Sequence, residues 1–336
     1  MPEAPAAVRE QPRRHWREMA LSYGIYIILA LFVLTMALLS PNFLRATNLL
    51  NIVVQASTVA VIAVGTTMVI LLAEIDLSVG SVAALAGAVT AGVLKAAAGA
   101  TAPGLGFVLL AILTGMAIGT ALGAVNGALT VWGGIPSFIV TLGMLSVGRG
   151  LTLLYTGGRP IFGLGETFSR IAYGKLGPVP VPILVLVALY TVAALFLHTT
   201  QLGRYIYAAG TNRRAVALAG VNVNRLKVGV FALAGTLAGL GGVLLTSRLD
   251  SAQPTAATGW ELDVIAAVVL GGTSLYGGRG AVVKTLVGAI ILQLISNGLN
   301  LLNVQAYWQQ ITKGAVILLA LLLERSLRRV RGGETM

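Results

Sequence analysis

This sequence predicts an all-α polytopic membrane protein of about ten transmembrane helices, with both termini in the cytoplasm. Three observations carry that reading. Of 336 residues, 57% are hydrophobic and 10% charged, and the mean hydropathy is +0.89; so few polar side chains cannot cover a soluble globule of this size. Apolar runs long enough to cross a hydrocarbon core of about 30 Å recur along the chain. Arg9, Arg13, Arg14 and Arg17 precede the first run and Arg325, Arg328, Arg329 and Arg331 follow the last, which suits two cytoplasmic tails near anionic membrane lipid. The net charge of +12 would suggest a nucleic-acid partner in a soluble protein, but its placement argues for membrane orientation and against nucleic acid. The absence of cysteine excludes disulfides, thiolate metal sites and cysteine nucleophiles.

Residues 1–18 form a polar tail predicted to be disordered, the transmembrane domain follows over 19–324, and 325–336 form a basic cytoplasmic tail. The first run, 21–39, exceeds a signal-peptide core of roughly 7–15 residues and lacks a small-residue cleavage site, so it reads as a retained span. Arg45 and Asn48 are expected in a short outer loop before the second run, 50–72. The stretch 73–81, AEIDLSVGS, then returns the chain at once into a third run. A gap that short is no ordinary loop, so Glu74, Asp76 and Ser78, with Gly80 behind them, lie at the inner interface or in a turn dipping into protein. Asp76 or Ser78 would cap the next helix. The competing reading, an ion or proton site at Glu74 or Asp76, is disfavoured because acids at span ends are common and acids at midplane are costly.

The fourth run, 105–131, carries Gly115, Gly119, Gly123 and Gly127 at four-residue spacing. On a helix these line one groove that lets two backbones pack closely, within one subunit by default and between subunits as the second reading. Asn126 stands near its cytoplasmic end. The fifth run opens at Pro136, where a missing N–H costs nothing. Arg149, inside this span, must snorkel outward or face a wet, protein-lined cavity; Thr141 and Ser146 supply hydroxyls on the same helix. Residues 156–180 read as a long external loop, 181–198 as the sixth span, 228–247 as the seventh and 248–263 as an outer segment.

The eighth run, 264–270, is too short to span before GGTSLYGGRG at 271–280. Gly271, Gly272, Gly277 and Gly278 therefore mark a broken helix or a partial re-entry, a feature that often lines substrate paths. The ninth run, 281–302, carries Asn297, and the tenth, 307–323, leads to the basic tail. Arg149, Thr141, Ser146, Asn126 and Asn297 are the candidate path residues. With both tails inside, only Arg45, Lys95, Arg159, Arg170, Lys175 and Arg248 fall outside, an imbalance that supports the orientation. The two breaks share one plan, a glycine-containing interruption between apolar runs, which suggests a duplicated half.

The most informative polar stretch is 201–227. Asn212 can cap a short helix, RRAVALA, that ends at Gly220, a residue suited to a left-handed C′ position. Two turns are too few for a helix to persist alone in water. The stretch holds Arg204, Arg213, Arg214, Arg225 and Lys227 and no acid, which places it in the cytoplasm. It reads either as a docking surface for a soluble partner, with Arg213, Arg214, Ala215 and Leu218 presented from the capped helix, or as a solvated loop whose charges only fix orientation.

Enzymatic motifs are missing. The fragment 280–285, GAVVKT, lacks the G-x-x-x-x-G-K-[ST] of a phosphate loop, and no H-E-x-x-H or G-x-S-x-G occurs. Neither catalytic residues, cofactor nor metal site is expected. Acids lie in tails, loops and span ends, which weakens the alternative of an ion-coupled secondary carrier for a small polar solute.

The stretches PNFLRATNLLNI, EIDLSVGS, GIPSFIVTLGMLSVGRGL, GRYIYAAGTNRRAVALAGVNV, ELDVIAAVVLGGTSLYGGRG and NGLNLLNVQAYWQQITKGAVILLA, in this order, resemble the permease subunit of ATP-binding-cassette (ABC) sugar importers of the ribose and xylose type. The likeness covers nearly everything from 41 to 324. It implies a second permease copy, a cytoplasmic ABC ATPase and a periplasmic sugar-binding protein, all at the bacterial inner membrane. It also implies that 212–220 is a coupling helix seated in the ATPase. Glu74 departs from the glycine of many ribose permeases and matches xylose-like members, which leaves a pentose, another monosaccharide or a polyol as substrate.

Overall fold

The computed structural model describes residues 29–97 and 104–332. The expected tail 1–18, the start of the first run and residues 333–336 lie outside the described residues. The chain divides into two compact units, Arg45–Asn297 on one hand and Met1–Leu44 with Gly298–Met336 on the other.

Along the larger unit run α2 (Ala46–Leu71), α3 (Val79–Ala97), α4 (Leu105–Val131), α5 (Ser137–Thr156), α6 (Glu166–Tyr173), α7 (Val181–Thr199), α8 (Gln201–Thr211), α9 (Arg213–Leu218), α10 (Val223–Leu249), α11 (Trp260–Leu270) and α12 (Val282–Leu301), whose last turn enters the second unit. The second unit holds α1 (Leu29–Leu39) and α13 (Ala306–Gly332), with Gln309 Nε2 donating to Asn300 Oδ1 at 2.7 Å. The backbone of α13 stays helical through Gly332, so the expected basic tail continues a helix.

Among the described residues, α2, α3, α4, α5, α7, α10 and α12 are long and apolar enough to cross a membrane, which makes the chain an all-α polytopic membrane protein. The other three expected runs fall on α1, α11 and α13. At 1.5 Å per residue, the 11 residues of α11 rise about 16 Å, half of a hydrocarbon core.

The core is built around α10, which is buried on faces turned to α2, α3 and α4. Gly119 and Gly123 of α4 pack on Gly235 and Phe231, a Cβ on Gly239 would lie 2.9 Å from the Gly115 carbonyl, and one on Gly127 would lie 2.8 Å from Val228 Cα. The glycine groove of α4 is thus filled by α10 of the same chain, antiparallel to it. On another face of α10, a Cβ on Gly65 of α2 would sit 2.6 Å from Ala234 Cα. Without glycine at these levels the helices could not approach this closely. Polar pairs join α2 to α12: Asn48 with Asn297, Gln55 with Gln293 at 2.8 Å, and Thr67 with Thr285 at 2.9 Å. Between apolar helices in lipid such side-chain hydrogen bonds hold register.

Three expectations are corrected. The second span begins at Ala46, so Asn48 is helical and only Arg45 caps it. The eleventh helix begins at Trp260, ahead of the expected 264, because Glu261 and Asp263 in its first turn suit the positive end of the helix dipole. The expected external loop 156–180 is folded. Strand β1 (Ile161–Phe162) pairs antiparallel with a later strand (Ser251–Ala252), and β2 (Lys175–Leu176) pairs with β3 (Val179–Pro180). Phe168 of α6 is buried with Leu164 against Leu94, Val108 and Val243, capping the ends of α3, α4 and α10.

Candidate functional site

Two interruptions of the helical core come together. The first joins α2 to α3. Ala73, at φ 59°, turns the chain, and an extended stretch follows whose backbone is satisfied by α5: Ile75 N–H donates to Ser137 Oγ at 3.1 Å and Leu77 N–H to Thr141 Oγ1 at 3.0 Å. Those two hydroxyls stand one turn apart at the start of α5, a spacing that matches alternate residues of a strand. Asp76 is 2% exposed; its Oδ1 accepts from Ser78 N at 2.8 Å and Ser78 Oγ at 2.6 Å. Asn126 Nδ2 of α4 donates to the same Ser78 Oγ at 2.9 Å. The Ser78 carbonyl opens α3 by accepting from Val82 N–H. Asn126 Oδ1 and Thr130 Oγ1, one turn apart on α4, are buried and find no hydrogen-bond partner among the described residues.

Glu74 forms a buried ion pair with Lys227 of α10, their side chains 13% and 9% exposed. Lys227, expected among the loop charges, is therefore a helix residue whose ammonium is committed to the first break. Gly80, at the head of α3, faces α11: a Cβ there would lie 2.7 Å from Glu261 Oε2 and 2.5 Å from the Ala257 carbonyl.

The second break, between α11 and α12, is made of backbone. Gly272, Gly277 and Gly278 take φ of 78°, 82° and 68°, Gly277 N–H donates to Ser274 O at 3.0 Å, and Ser274 N–H donates to Arg279 O at 2.8 Å. Gly271 packs on α12, where a Cβ would meet Thr285 Cα at 2.7 Å. Gly278 N–H donates to the Leu71 carbonyl at 2.9 Å, which joins the two breaks directly.

Beside them the polar stretch 201–227 folds as three helical pieces, each opened by a polar cap. Gly203 N–H donates to Thr200 Oγ1, Ala215 N–H to Asn212 Oδ1 and Arg225 N–H to Asn222 Oδ1, all at 3.0 Å. These side chains satisfy N–H groups that a helix start leaves free. On α9, Val216 is buried, whereas Arg213, Arg214, Ala215 and Leu218 are exposed, Leu218 at 83%. Arg213 Nη2 donates to Asn224 Oδ1 at 2.7 Å, and Gly220 turns the chain at φ 83°. The sequence reading missed α8, although Thr200 was a legible cap. Tyr207 of α8 donates its phenol to the Gly280 carbonyl at 3.1 Å, and burial pushes that phenol up from its ordinary value.

Of the five candidate path residues, two are brought to the same place. Thr141 and Asn126 serve the first break. Arg149 Nη1 donates to the Pro254 and Ala256 carbonyls, both at 2.9 Å, bracing the loop before α11. Ser146 lies on the exposed face of α5, and the Asn297 amide exchanges hydrogen bonds with Asn48.

A permease component is the class that these broken helices and capped surface helix suit. The chain belongs to the family described as branched-chain amino acid transport system / permease component, which matches residues 48–321. It is 47% identical over 303 residues to the ribose import permease protein RbsC of Escherichia coli (strain K12), covering 89% of this chain and 92% of that protein. It is 44% identical over 319 residues to RbsC of Bacillus subtilis (strain 168), covering 94% and 96%. It is also 39% identical over 306 residues to the D-allose transport system permease protein AlsC of E. coli (strain K12), covering 90% and 91%. No solved structure gives a significant match. The chain is a multi-pass transport component of a bacterial cell membrane, and the ATPase of such a system is a separate subunit.

Proposed function

We propose that this chain forms the translocation path of an ATP-driven importer for a monosaccharide, a pentose such as ribose or a similar sugar, delivered by a periplasmic binding protein. In this reading the bundle has ten spans with both termini cytoplasmic, two copies enclose the path, and a cytoplasmic ABC ATPase binds each copy at Asn212–Gly220. The observation that carries the reading is the capped, exposed α9, fixed between two longer helices by the Asn212 and Asn222 caps. A two-turn helix has no stability of its own, so its basic and apolar surface is held out by the fold for a partner. The names of the ribose and D-allose relatives support the sugar, and a further relative, 34% identical over 316 residues and named an L-arabinose ABC transporter permease protein, supports the ABC class.

ATP binding would close the ATPase pair and displace α9, and that motion would switch access to the path. Changing Arg213 and Arg214 together to Glu is expected to abolish transport and ATPase association while membrane insertion persists. Normal transport by that variant would contradict the reading.

A further inference from the structure

The end of α8 is one residue from the Asn212 cap of α9, and it is also where the two breaks touch. A Cβ on Gly210 would collide with the Leu71 carbonyl and stand 2.7 Å from Gly278 N. A Cβ on Gly277 would stand 2.8 Å from Ala73 N and 3.0 Å from the Gly210 carbonyl, and one on Gly278 would stand 3.1 Å from Thr211 N. The Gly278-to-Leu71 hydrogen bond crosses the same point, and one turn earlier Tyr207 holds Gly280. Three backbones therefore meet, the end of α2, the end of α8 and the turn of the second break; Gly210 faces backbone alone, and only the Thr211 hydroxyl and the Ala73 methyl stand beside the other two glycines.

Contacts between side chains can absorb a small shift by changing rotamer, but backbone on backbone has no such slack. A displacement of about 1 Å at the end of α8 must move Leu71, Gly278 or both. We propose that this glycine junction is the rigid link that carries motion of α9 to both breaks at once, with Gly210 as the positioning residue and Tyr207 as a second tie. The inference rests on the reading of α9 as the site of ATPase docking. It assigns a different task, transmission after docking.

The test uses the full complex, permease with ATPase and binding protein, in proteoliposomes, and measures ATPase association, ATP hydrolysis and sugar uptake together. Gly210→Ala is expected to leave association and hydrolysis in place while uptake per ATP falls roughly tenfold, within the range of known coupling between sites. Unchanged uptake per ATP overturns the junction, and so does loss of association, which would make Gly210 part of the docking surface. Should Gly210→Ala fail to fold or insert in the membrane, Tyr207→Phe decides: reduced uptake per ATP with normal association supports the link, and unchanged uptake per ATP overturns it. Failure of the docking reading itself would appear separately, as normal association by the Arg213→Glu/Arg214→Glu variant.

Discussion

The two breaks solve the same problem, unpaired backbone inside a membrane bundle, by opposite means. In the first, side chains from three other helices satisfy or anchor the chain: Ser137 and Thr141 from α5, Asn126 from α4 and Lys227 from α10. In the second, glycines turn the chain and most ties are backbone to backbone, with the Ser274 and Tyr207 hydroxyls adding one hydrogen bond each, while Tyr276 at the tip is 72% exposed. Unsatisfied backbone in lipid costs several kcal/mol, so neither could be left loose. The difference teaches that the first break is fastened to the core and the second is fastened to the first, through Gly278 and Leu71. The second is also held to α8 by Tyr207 and packed on α12 at Gly271.

Breaking the anchor should give the largest effect. Lys227→Met leaves Glu74 as a buried, unpaired carboxylate, and removing one partner of a buried pair typically costs about 3–5 kcal/mol. Thermal unfolding in detergent should show a large loss of stability for Lys227→Met, and adding Glu74→Leu should recover most of it. Equal stability of the single and double variants would mean that the pair is not what holds the break.

A smaller effect is expected at the second break. Gly277 has φ 82°, where an alanine costs about 1–2 kcal/mol, and its Cβ would press on Ala73 N at 2.8 Å. Gly277→Ala should therefore lower transport more than stability, whereas Lys227→Met should lower both. The smallest effect belongs to the surface helix. Asn212→Ala removes one cap hydrogen bond, about 1 kcal/mol, and should weaken ATPase association measurably while the unfolding temperature of the bundle barely moves.

How far the sequence could be read follows from the range of each interaction. Asn212, Gly220 and the glycines of α4 were legible because a cap, a left-handed turn and a four-residue groove are local patterns. The existence of both breaks was legible from run lengths alone. The partners were not. Lys227 meets Glu74 across 153 residues and Asn297 meets Asn48 across 249, separations at which no periodicity informs. Counting Lys227 as a loop charge followed from its basic neighbours. Two-residue strands such as Ile161–Phe162 are too short to show alternation, so the folded cap over α3 and α4 read as a loop. The Glu166 to Arg170 spacing, with Phe168 and Ala172 on the buried side, was the one local sign of α6.

The central claim is that this chain supplies a gated passage while the driving force enters through α9. Reconstitution of the purified chain in liposomes, alone and with its ATPase and binding protein, tests it most directly. The account predicts ATP-dependent accumulation of ribose or a related monosaccharide by the complete system and none by the chain alone under an imposed proton or sodium gradient. Gradient-driven accumulation by the chain alone would contradict it.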